Sequence, residues 1–120
     1  MAFYPKRGEH LYGPLSFTKN GNLILVANAG TLNTPTGLIT SSTSTLAAAT
    51  SESLTIACNF IRSANAQVYA MIQNPGTGGT IIVTSVVPTQ GQFIINVRNL
   101  SATLAMTSIY VVQFIILNEG

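Results

Sequence analysis

The 120-residue chain has no aspartate and no tryptophan, and it has only one cysteine, one histidine and three glutamates. Each shortage closes off a class of function. Enzymes need side chains that move protons, attack or hold a metal. Here the only histidine, His10, sits beside Glu9 in an irregular stretch, Glu52 lies in a Ser/Thr run, and Glu119 is next to the last residue. That scatter spells no triad, no carboxylate pair and no zinc or calcium ligand set. A non-enzymatic protein is expected, with no catalytic residue, no metal and no cofactor. The single cysteine, Cys58, excludes an intrachain disulfide. It falls in the apolar phase of an alternating segment, so it is expected to be buried as a small hydrophobe.

Charge is the second shortage. Charged residues make up 7% of the chain, where soluble globular proteins average roughly 25%. A dispersed monomer relies on surface charge for solubility. The polar residues here are mostly Thr, Ser, Asn and Gln, which can be buried between subunits at modest cost when hydrogen-bonded. Self-association is therefore expected. The net charge of +2 gives no basic stripe. Lys6, Arg7 and Lys19 stand near the start, and three charges neutralise few phosphates, so nucleic-acid binding is not expected. Phe3, Tyr4 and Tyr12 lie in the same stretch and are read as arm contacts to a neighbouring subunit. The start of the chain shows no apolar leader segment. The longest apolar stretch, residues 109–117, is interrupted by Gln113 and is too short to span a bilayer as a helix.

What is present is alternation. Residues 1–14 carry Pro5, Gly8, Gly13 and Pro14 without a sustained period and are read as an extended N-terminal arm, leaving 15–120 as one domain. Asn20 and Gly21 form a dipeptide suited to a two-residue hairpin turn, flanked by strands over 15–19 and 22–28. A short strand is expected over 37–40, then a Ser/Thr/Ala-rich surface loop over 41–53 with a helical turn near 46–49. Leu54, Ile56, Cys58 and Phe60 alternate with polar or small residues, Ala66, Val68, Ala70 and Ile72 share one face with Gln67, Tyr69, Met71 and Gln73 on the other, and the short 63–65 link suggests a hairpin between the two. Residues 74–79 and 88–91 read as turns around a strand over 80–87, followed by one with Phe93, Ile95 and Val97 on one face. Gly76, Gly78 and Gly79 serve a turn and lack the lysine of a phosphate-binding loop. Asn99, Leu100 and Ser101 match the N-glycosylation pattern, a short match that is not expected to be used.

The last strand, over 108–118, is apolar on both faces: Ile109, Val111, Ile115 and Leu117 share one, and Tyr110, Val112, Phe114 and Ile116 the other. The second set is the candidate core or oligomer interface, since a strand apolar on both sides needs cover on both, with another subunit or the N-terminal arm expected to supply it on the second side. About eight strands joined by short turns point to an all-β, antiparallel, jelly-roll-like β-sandwich.

The texture of residues 54–62, 66–73, 80–87 and 109–117 resembles the charge-poor, Thr/Ser/Asn/Ala-rich jelly-roll heads of viral capsid, fibre and spore-surface proteins, among them small virion proteins of large DNA viruses. The resemblance implies a homotrimer on a virion or other extracellular particle, with other capsid or surface proteins as further partners. The alternative expectation is a receptor- or glycan-binding head, in which loops at one end of the sandwich present Asn, Thr and aromatic side chains to a sugar.

Overall fold

The computed structural model describes residues 20–120. The elements are β1 (Asn20–Ile24), β2 (Ala29–Thr31), β3 (Thr36–Thr40), β4 (Ser51–Ala57), β5 (Gln67–Asn74), β6 (Ile81–Thr89), β7 (Gln92–Asn99) and β8 (Val111–Asn118). They form two four-stranded sheets, ordered β1-β3-β8-β5 and β2-β4-β7-β6. The protein is an all-β sandwich of eight strands, the class that the alternating pattern implies.

Connectivity departs from the sequence reading at several points. Asn20 and Gly21 are not a turn; they open β1, which runs parallel to β3, with Gly21 opposite Gly37. The strand expected over 15–19 lies outside the described residues, as does the arm. The 63–65 link is no hairpin either, because β4 belongs to the second sheet and β5 to the first. Residues 58–66 instead carry the chain across the sandwich. Among the described residues the 41–53 segment has no helix. It makes an isolated bridge, Leu46 to Met106, turns at Ala49 (φ 57°) and enters β4 at Ser51.

The physical reason is common to these differences. Apart from the β6–β7 hairpin, closed by Gln90 and Gly91 (φ 82°), every connection passes from one sheet to the other. Local turn chemistry does not report which sheet the chain enters next. Parallel neighbours require a crossover. Here β2 supplies it between β1 and β3, and β3 supplies it between β2 and β4, so two edge pairings are parallel while the other four are antiparallel.

The inward phase of each strand builds one core. Leu54 and Ile56 of β4, Phe93, Ile95 and Val97 of β7, and Ile39 of β3 are fully buried. The second sheet meets the first through Phe93 and Phe114, whose ring centroids are 5.0 Å apart at 50°, a tilted packing favoured by the ring quadrupoles. Gly37 leaves room for that ring: a Cβ there would come within 2.9 Å of Phe114. Tyr110, Val112, Phe114 and Ile116 all lie in this core. The opposite phase of β8 therefore faces outward.

Candidate functional site

The two outward faces of the sandwich differ in chemistry. On the second sheet, cross-strand neighbours satisfy one another. Ser53 Oγ donates to Asn96 Oδ1 at 2.6 Å, Asn96 Nδ2 donates to Ser85 Oγ at 2.9 Å, and Arg98 donates to Ser51 Oγ at 3.1 Å. Ile94 lies half-buried among them. Val87, opposite Ile94, is exposed on this face as well, but most of it is polar and wetted.

The first sheet carries no charged residue in any of its four strands. Its outward rows are set by register: Asn22, Leu38, Gln113 and Met71 lie abreast, with Thr36, Ile115 and Tyr69 in the next row. Exposure of large apolar side chains concentrates here, with Ile24 at 74%, Met71 at 62%, Tyr69 at 56% and Leu117 at 54%. At the centre lies an open cavity of about 490 Å³, lined in part by Asn22, Gln73, Gln113, Leu38 and Ile115. The three carboxamides have no hydrogen-bond partner among the described residues. An apolar floor with free amide donors and acceptors suits a neutral surface, either protein or polyol.

Of the two roles the sequence left open for Tyr110, Val112, Phe114 and Ile116, core or interface, the structure gives them the core; the sequence did not single out the outward phase, because both phases are apolar by type. A usable signal was present: Gln113 interrupts the Ile109, Val111, Ile115, Leu117 set, and a single glutamine in one phase marks it as the wetter one. Phe3, Tyr4 and Tyr12 lie outside the described residues, as does His10.

The remaining titratable groups serve the fold. Glu52 points inward at the rim of the sandwich. Its Oε1 accepts from Thr43 Oγ1 at 2.7 Å and from Asn28 Nδ2 at 3.1 Å, and its Oε2 accepts the Tyr110 hydroxyl. Asn28, held at φ 58°, is fixed in turn by Ser42, whose Oγ accepts from its backbone N–H at 2.7 Å. Three neutral donors thus meet one carboxylate and tie the 41–43 loop and the β1–β2 turn to Tyr110, the residue that leads into β8. Glu119 lies elsewhere, beyond the other end of β4, in an exposed ion pair with Arg62 at 3.1 Å, a kind of contact that adds little in water. The two glutamates do not form a catalytic pair. Among the described residues no His, Cys, Asp or Glu cluster could hold a metal, and no helix is long and apolar enough to cross a membrane. Cys58 is buried, and burial pushes its thiol pKa up. Asn99, the residue of the glycosylation pattern, is fully buried with its amide nitrogen donating to the carbonyls of Leu46 and Leu104.

Burial, reinforced by the hydrogen bond to Glu52 and its charge, raises the Tyr110 pKa well above the usual phenol value. An unfolded tyrosine loses its proton near pH ~10 while the folded one keeps it, so the stabilising linkage is complete below that pH and is lost as pH rises. Stability is expected to fall above pH ~10 by up to about 1.4 kcal/mol per pH unit. Cys58 adds a weaker decline that starts lower, since its pKa is raised as well. Urea midpoints measured from neutral to strongly alkaline pH check this, and Tyr110→Phe is expected to flatten the steep part of the decline.

The chain matches no known family model, no curated protein and no solved structure. Function therefore rests on the chemistry of the two faces.

Proposed function

We propose that this protein is a non-enzymatic structural subunit that works by associating with copies of itself through the outward face of the first sheet. The observation that carries this reading is the contrast between the faces: one is a hydrogen-bonded polar ladder, while the other exposes Ile24, Tyr69, Met71 and Leu117 and bears no charge. Monomers seldom leave so many large apolar groups on one charge-free sheet face. The composition agrees, because a chain this poor in charge is easier to keep soluble as part of an assembly. A homotrimer on a virion or other particle surface, where further surface proteins can join it, is the setting that the sequence resemblance suggests. The exclusion of enzymatic work belongs to the same reading.

The experiment is oxidative footprinting. Met71 stands on the proposed contact face and Met106 is fully buried in the core. In dilute solution hydrogen peroxide is expected to convert Met71 much faster than Met106, and at high concentration the Met71 rate is expected to fall toward the Met106 rate. An equally fast Met71 reaction at every concentration contradicts the assignment.

A second reading is favoured by the cavity. Its three carboxamides, without hydrogen-bond partners among the described residues, and the exposed Tyr69 on the same sheet face suit the hydroxyls and apolar ring faces of a neutral glycan. A glycan array probed with the full chain tests it; uniform absence of signal removes this reading and leaves the first untouched.

A further inference from the structure

A sandwich of two open sheets has four edge strands, and each leaves backbone N–H and C=O groups pointing away from its sheet. In this molecule the edges are β1 and β5 of the first sheet and β2 and β6 of the second. Three of them carry features that discourage pairing with another strand. β2 has only three residues, and β1 has five and follows directly on Lys19. β6 is broken by a bulge between Val83 and Ser85 and contains Pro88, which has no N–H to give.

β5 has none of these protections in its middle. It is eight residues long, Gln67–Asn74, without charge, proline or glycine. Its irregularities fall at the two ends, between Gln67 and Val68 and between Ile72 and Asn74, so Val68 through Ile72 form a regular run against β8. Among the described residues β8 is its only hydrogen-bonded strand partner, and β6 of the second sheet lies close to part of it without pairing. The chemistry that recognises such an edge is another extended strand, since a row of alternating donors and acceptors is matched by the same row reversed. The least protected edge in this chain is β5 itself. Two copies related by a twofold axis bring identical strands together antiparallel, and no like charges meet.

We propose that β5 is a strand-pairing edge that takes β5 of a second copy, joining two first sheets into one continuous eight-stranded sheet. The proposal rests on the self-association reading but uses different atoms: backbone groups at one edge instead of side chains across the face. A chain with both contacts has two ways to meet its own kind, so face-linked oligomers become linked to one another through β5. The apolar outward faces of the paired sheets also become continuous through Tyr69 and Met71.

The test is amide hydrogen exchange on the full chain, from dilute to concentrated, in the natural sequence and in Ile115→Glu, which places a charge at the centre of the face and leaves β5 unaltered. In the dilute chain, every second amide from Val68 to Ile72 is expected to exchange fast, because it points away from β8. On concentration those amides are expected to slow by at least about tenfold in both proteins, while the β2 and β6 edges stay unchanged. Association of the natural chain with β5 amides that remain fast overturns the edge proposal and leaves the face reading standing. Slowing that disappears in Ile115→Glu also overturns it, because the shielding then comes from face packing. A chain that stays monomeric at every concentration overturns both.

Discussion

Replacing Asn99 with leucine is expected to cost on the order of 3–5 kcal/mol, although the two side chains are similar in size. The asparagine is fully buried at the end of β7 and uses its whole amide. Oδ1 accepts from the backbone N–H of Thr80 at 2.9 Å and of Ser101 at 3.1 Å, while Nδ2 donates to the carbonyls of Leu46 at 3.1 Å and Leu104 at 2.9 Å. One side chain thus holds three connections together. Leucine leaves the Thr80 and Ser101 N–H groups and the Leu104 carbonyl without their partner in a place that water reaches poorly, while the Leu46 carbonyl keeps the Met106 N–H, and each orphan costs about 1–3 kcal/mol before the loops relax. Gly79 shows how tightly the side chain is held, since a Cβ there would come within 2.7 Å of the Asn99 amide. Urea denaturation checks the cost. Asn96→Ala on the wet face is the control, with an expected loss of under about 1 kcal/mol. Equal effects at the two positions contradict the staple role.

Ile115→Glu is expected to have its large effect on assembly and a small one on the fold. Ile115 sits outward at the centre of β8 beside the open cavity, so a carboxylate there stays hydrated in the isolated chain. Once the face is covered that charge must be desolvated, and no cation on the first sheet can pair with it. A buried charge without a partner costs about 3–5 kcal/mol, which weakens each contact roughly a hundredfold to several thousandfold. Symmetric copies also bring their carboxylates near one another. Circular dichroism is expected to remain that of the natural chain, and Gln113→Glu, at an exposed neighbouring position, supplies the milder version of the same change.

Strand positions were legible because burial imposes a period of two. Leu54 and Ile56, and Phe93, Ile95 and Val97, alternate cleanly, and the structure buries all five. Sheet membership was not legible. Asn20 and Gly21 fit a hairpin turn by local chemistry, yet they pair with Thr36 and Gly37 in a parallel ladder that depends on residues more than a dozen positions away. The network of Glu52, Tyr110, Thr43 and Asn28 was invisible for the same reason: it joins positions up to 82 residues apart, and nothing in the sequence around any one of them points to the others. The candidate site was half legible. Composition pointed to self-association, and β8 was singled out as apolar on both faces, but choosing the outward phase required the second sheet to show which side it covers.

The most direct test of the central claim is the solution mass of the purified chain by light scattering after size exclusion, followed over a wide dilution range beside Ile115→Glu. The account predicts a closed oligomer for the natural chain, with a trimer matching the proposed setting, and a shift to monomer at the same concentration for the variant. A natural chain that elutes as a monomer throughout, or a variant that assembles as well as the natural chain, contradicts the assignment of the first sheet's outward face as the place where copies meet.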